Sequence, residues 1–144
     1  AMKWIDLPPV WLAACLILTW LSPWVVFLGP LHLLGWLCLL AGATIMVAAV
    51  LSFRMARTTI IPRQDPSALI TTGIYRWSRN PIYLADVLFL VGVALILGRC
   101  LGLVLVPLYI YLLDRRFIRG EEARLRAAFG PKFTDYAAST RRWI

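Results

Sequence analysis

Gly73-Ile-Tyr75-Arg76-Trp77-Ser78-Arg79-Asn80-Pro81-Ile-Tyr83-Leu84-Ala-Asp86 is the stretch from which the chain is read, because arginines, aromatics and a helix start meet a hydrophobic run there. Asn80 before Pro81 predicts a helix start. The Asn side chain can accept from the free N–H groups of the first turn, and Pro at the first helical position has no N–H to leave unpaired. The positive end of that helix points at the surroundings of Arg76, Arg79 and Tyr83, which favours an anionic group in that place.

Outward from this stretch the chain is apolar. Of its 144 residues 61% are hydrophobic and the mean hydropathy is +0.78, in long blocks that imply a multi-pass membrane protein. The formal charge of +8 does not indicate nucleic acid. Its basic residues stand where hydrophobic blocks end, as cytoplasmic membrane flanks do, and no recognition fold accompanies them. Cys15, Cys38 and Cys100 are single residues in or beside apolar runs without metal-ligand spacing, and His32 has no partner ligand nearby, so no metal site is expected.

Four spans are expected, at about 10–29, 31–53, 81–98 and 101–117. Pro8 and Pro9 mark the entry to the first, which is too long for a cleavable signal and should be kinked by Pro23. Gly29-Pro30 then makes a tight turn. Gly35, Gly42, Ala43 and Ala48 give the second helix small surfaces for close packing. Residues 54–80 form a cytoplasmic loop, of which 58–72 is able to fold over a site. The third and fourth helices form a tight hairpin about Arg99 and Cys100.

Asp86 lies thirteen residues before Arg99, and Asp114 thirteen after Leu101. The two carboxylates are therefore expected level with each other, just inside the cytoplasmic face, where a charge is either functional or paired with Arg79, Arg115 or Arg116. The tail, 118–144, reads as interfacial amphipathic helices. Leu125, Ala128 and Phe129 share one stripe, and Phe133, Tyr136 and Ala137 another, on either side of Gly130-Pro131. Glu122 and Arg126 are spaced for an exposed i,i+4 pair. Of the fifteen Lys and Arg residues only Arg99 falls on the far side, which puts both termini in the cytoplasm. No internal repeat is evident, so 1–144 is read as one domain.

Two ordered motifs flank the hairpin: Gly73-x-Tyr75-x-x-x-Arg79-Asn80-Pro81-x-Tyr83, and Glu121-Glu122-x-x-Leu125-x-x-x-Phe129-Gly130-x-x-Phe133-x-x-Tyr136 followed by Arg141-Arg142-Trp143. From Thr72 to the end the chain resembles the isoprenylcysteine carboxyl methyltransferase and phospholipid methyltransferase superfamily, especially its short bacterial members. The resemblance implies methyl transfer from S-adenosylmethionine to a lipophilic or lipidated acceptor at the cytoplasmic face of a bacterial inner membrane. An isoprenylcysteine-type carboxylate is the first choice of acceptor, and a phospholipid amine or another small lipophilic molecule the alternative. It also implies roles: Arg79, Glu121, Glu122 and Arg142 in catalysis, and Tyr75, Asn80, Pro81, Tyr83, Leu84, Asp86, Glu121, Glu122 and Tyr136 around the cofactor.

The family's Arg-His-Pro-x-Tyr-x-Gly pattern reads here as Arg79-Asn80-Pro81-Ile82-Tyr83-Leu84-Ala85. Asn80 cannot titrate as a His does, so a proton-transfer role at that position does not carry over. Two other classes fit parts of the chain. Asn80-Pro81-x-Tyr83-Leu84-Ala85-Asp86 also resembles a stretch of the longer NADPH-dependent sterol reductases, and the basic flanks suit a non-enzymatic adaptor on anionic lipid.

Overall fold

The computed structural model describes residues 7–23, 29–56 and 69–144. Their order is α1 (Pro8–Leu21), α2 (Leu31–Ala56), a 3₁₀ turn (Gly73–Arg76), α3 (Pro81–Leu97), α4 (Cys100–Leu113), a π-helical turn (Asp114–Ile118), α5 (Arg119–Phe129) and α6 (Pro131–Ser139). The fold is all-helical, with no strand among the described residues.

Helix α3 is the centre. Tyr83, Ala85, Asp86, Val87, Leu90, Gly92, Ala94 and Leu95 are all buried along it. Its widest interface is with α2, while α4 returns beside it and α1 packs against both α3 and α4. The α2–α3 seam works because side chains are missing there: a Cβ on Gly35 would lie 2.8 Å from the Gly92 carbonyl oxygen, and one on Gly92 equally close to that of Gly35. Backbones this close exclude anything bulkier than hydrogen, which the small residues of α2 had suggested.

The other face of α2 carries exposed Leu33, Leu40, Val47 and Met55. Among the described residues α2 is the one helix long and apolar enough to cross a bilayer, its 26 residues giving about 39 Å at 1.5 Å per residue. Helices α1 and α3 are apolar but shorter.

Several boundaries differ from expectation for local reasons. Helix α1 stops at Leu21, and Ser22 is extended at φ −64°, ψ 134°. Pro23 therefore does not kink a helix; it ends one, because a proline drives the preceding residue out of the helical region. Residues 24–28 of the expected first span, and 57–68 of the loop expected to close over the site, lie outside the described residues. Helix α2 continues to Ala56, with Arg54 in its last turn. Part of the expected loop is the ordered 3₁₀ turn at Gly73.

The hairpin is tight as expected. Gly98, at φ 65°, caps α3 in the left-handed region, and Arg99 donates to the carbonyl of Ser22, fastening the turn to the end of α1. The chain does not break near Phe117. Helix α4 runs through the π turn into α5, so the tail begins as a continuation of the bundle. Nor is α6 free to lie with its apolar face on lipid: Phe133 and Tyr136 are buried against Ala49 and Tyr75.

Candidate functional site

The start of α3, the π turn with α5, and the segment after α6 converge on one polar knot. The π turn sets its register. With one extra residue in the turn, positions five apart come into line, and Arg119 Nε donates to Asp114 Oδ2 at 3.1 Å. Glu121 and Glu122 follow on adjacent faces of α5 and reach different neighbours. Tyr83 Oη donates to Glu121 Oε1 at 2.5 Å across 38 residues of sequence. Glu122, 7% exposed, receives Arg79 Nη1 at 3.1 Å, and Arg142 Nε at 3.0 Å and Nη2 at 2.8 Å. Arg142 Nη1 turns to Asp114 Oδ1 at 2.8 Å, so this one guanidinium bridges two carboxylates.

Backbone bonds hold the tail in place. The Arg79 N–H donates to the Arg141 carbonyl at 3.0 Å, and Asn80 Nδ2 to the Arg142 carbonyl at 2.9 Å. Asn80 was expected to cap α3 with its side chain and does not. The tail recruits that side chain, and the Asn80 N–H bonds instead to Ser78 Oγ at 3.1 Å. Tyr136 Oη donates to the Tyr75 carbonyl at 2.7 Å, locking α6 to the 3₁₀ turn.

The electrostatics are uneven. Burial pushes the Glu121 carboxyl up to about 7, against the Tyr83 hydroxyl and Arg124, which lower it, while Glu122 adds to the rise. Glu121 therefore changes charge near neutrality. Hydrogen bonds that it donates to Glu122 hold the Arg142 guanidinium above its ordinary value, so it stays charged. The Tyr75 hydroxyl is raised by burial first and by Tyr136 and Glu121 after it. Burial also takes Tyr136 up to about 12, with Arg79 pulling the other way. Arg79 Nε is buried without a hydrogen-bond partner, an unspent donor beside Glu122.

The structure brings Arg79, Asn80, Tyr83, Glu121, Glu122 and Arg142 into this knot, with Tyr75 and Tyr136 bonded to each other beside it. Pro81 is the buried first residue of α3, and Asp86 is buried one turn beyond Tyr83. Half-buried Leu84 is on the same helix. The Tyr83 and Phe117 rings make a tilted contact between α3 and the π turn. Glu122 does not form the exposed pair with Arg126 allowed by spacing. It is buried under two arginines, and Arg126 lies over the Phe133 ring instead. Asp114, at the start of the π turn, pairs with Arg119 and Arg142, two arginines that the sequence reading had not named as its partners. The buried residue Ser78 was missed. Its signal was the Ser-x-Asn-Pro spacing before a helix.

Two comparisons bear on this arrangement. The family model described as phospholipid methyltransferase matches residues 30–132, which takes in α2, the hairpin, α5 and the start of α6. The Protein-S-isoprenylcysteine O-methyltransferase of Schizosaccharomyces pombe is 30% identical over 105 residues, covering 72% of this chain and 44% of that protein. The chain spans less than half the length of this relative. With most of its length matched, from α2 through both acidic residues of α5, the chain belongs to the phospholipid methyltransferase family.

Proposed function

We propose that the chain is an S-adenosylmethionine-dependent methyltransferase whose four apolar helices cross the membrane, with the polar knot and both termini at its cytoplasmic face. The carrying observation is the Tyr83–Glu121 contact, which joins the two motifs across the hairpin.

The residues suit the methyl donor. S-adenosylmethionine supplies an electrophilic methyl group on a sulfonium, and its transfer is an in-line displacement that rewards alignment and exclusion of water. The unpaired Arg79 Nε is a donor for a carboxylate oxygen. Tyr83 offers an aromatic face to a cation, and Glu121 and Glu122 take ammonium or hydroxyl groups. Arg142 holds Glu122 in place from the tail, and Asn80 and Pro81 fix the start of α3. Leu84 and Asp86 extend the wall along α3, with Tyr75 and Tyr136 closing the side toward α6.

Two acceptors follow from two observations. An isoprenylcysteine-type carboxylate is the reading that the S. pombe relative supports, with Arg79 as the residue that orients it. A lipophilic amine is the second reading, favoured by the balance of charge. Glu122 and Asp114 are matched by Arg79 and Arg142, whereas no ion pair joins Asp86 or Glu121 among the described residues. The Glu121 carboxyl, raised by burial to about 7, can take the proton that an amine gives up on alkylation.

The test is transfer of labelled methyl from S-adenosylmethionine to a farnesylated cysteine and to phosphatidylethanolamine, with the chain in nanodiscs. One acceptor is expected to be labelled, and Tyr83→Phe and Glu121→Gln are expected to lower the rate while the helical circular dichroism is unchanged. Tighter binding of NADPH than of S-adenosylmethionine would support the reductase reading. Activity indifferent to Tyr83 and Glu122 but lost on neutralising tail arginines would support the adaptor.

A further inference from the structure

Beside the knot lies a cleft whose cations the proposed chemistry does not use. It is an open cleft of about 640 Å³ between the 3₁₀ turn and α6, lined by the polar residues Arg76, Lys132, Asp135 and Tyr136 and by apolar Leu69 and Phe129. Its cations differ from those of the knot. Arg79, Arg119 and Arg142 are all paired with carboxylates, while neither Arg76 nor Lys132 has an ion-pair partner among the described residues. The two are far apart in sequence, and the Tyr136–Tyr75 bond holds their elements together, so their convergence is a property of the fold. Thr71 and Thr140 bring hydroxyls to the same cleft, while those of Tyr136 and Ser139 donate to backbone carbonyls. One carboxylate, that of Asp135, lies among them and leaves a net positive lining. Trp77, next to Arg76, is 76% exposed, as an aromatic anchored at headgroup level would be.

We propose that this cleft binds a phosphate group, with Arg76 and Lys132 as its charged donors and the hydroxyls of Thr71 and Thr140 as neutral ones. Such an arrangement offers charge-assisted hydrogen bonds to oxygens on several sides of one anion. Asp135 can accept from a hydroxyl or ammonium carried beyond the phosphate, and Leu69 and Phe129 can receive apolar chain. A phospholipid headgroup and free inorganic phosphate share this chemistry. The site shares Tyr136 with the proposed methyl-donor wall, but its charged donors, Arg76 and Lys132, have no part in that reading.

The test uses the full chain in detergent, with two probes. Native mass spectrometry reads retention of short-chain phosphatidylglycerol, and isothermal titration reads binding of inorganic phosphate. The wild type is expected to bind at least one probe, and Arg76→Gln with Lys132→Gln to lose roughly tenfold in affinity, the usual scale for charge-assisted bonds. Arg54→Gln with Arg115→Gln, which removes as much charge elsewhere, should keep the affinity. Binding of phosphatidylglycerol alone assigns the site to a headgroup, and binding of inorganic phosphate to a free anion. Equal loss in the two double variants would reduce the effect to overall charge and overturn the proposal, as would unchanged binding in the first variant or no binding of either probe by the wild type. Helical circular dichroism on every variant, and recovery of affinity in Arg76→Lys, separate a lost site from a lost fold.

Discussion

Along α3, Gly92 lies against Gly35 with no room for a methyl group between them, while toward the start of the same helix Asn80, Tyr83 and the preceding Arg79 reach into a mesh of acids, an arginine and tail carbonyls. The seam with α2 is held by shape, and its energy is dispersion between surfaces with no charge to titrate. The knot is held by charge. It has paid the desolvation of buried ions, which only complete pairing offsets. The two ends of α3 should therefore fail differently: the seam to added volume at any pH, the knot to lost partners and to pH.

The largest effect is expected from Glu122→Ala, which leaves Arg79 and Arg142 facing each other without the carboxylate that both share. Breaking a buried pair in this way costs about 3–5 kcal/mol, to be read as a fall in thermal midpoint in detergent. A loss no greater than that of an exposed glutamate would mean the knot is open to water.

Next is the pH dependence of Glu121. Its folded-state pKa is raised from an ordinary 4.5 to about 7, so folding favours the protonated form. This contribution is fully present below about 4.5 and is lost as pH rises through about 7. The expected loss of stability across that window is on the order of 2–3 kcal/mol, and Glu121→Gln should flatten the curve.

Gly92→Leu strikes the seam instead. Overpacking of this kind costs roughly 1–3 kcal/mol, and the pH curve of the variant should run parallel to that of the wild type. A changed pH profile would show that the two ends of α3 are coupled. Tyr136→Phe is expected to cost the least, about 1 kcal/mol for one buried hydrogen bond, with the thermal midpoint again the measure.

The same contrast explains what the sequence could reveal. The seam was legible because Gly35, Gly42 and their small neighbours recur along one apolar helix, and period and size are local properties. The hairpin was legible for the same reason: its turn residues Gly98 and Arg99 interrupt an apolar run. The knot was legible only as two motifs that a resemblance placed together. Nothing local says that Arg142 bridges Glu122 and Asp114, because that depends on a π turn whose extra residue leaves no compositional trace. Asn80 shows the limit from the other side. Its spacing before Pro81 is that of a capping residue, yet the tail, sixty residues away, claims its side chain. Pro23 was misread because a proline in a hydrophobic run signals a kink and a stop alike, and only the extended backbone of Ser22 tells them apart.

The account rests on the joining of Tyr83 to Glu121 as part of a methyl-donor site. Isothermal titration of S-adenosylhomocysteine into the nanodisc-embedded wild type, Tyr83→Phe and Glu121→Gln tests that joining most directly. Saturable binding to the wild type, weakened in both variants while Leu40→Ala, at an exposed position on the far face of α2, binds normally, is the predicted result. Binding of equal strength in all four proteins, or none to a well-folded wild type, would contradict it.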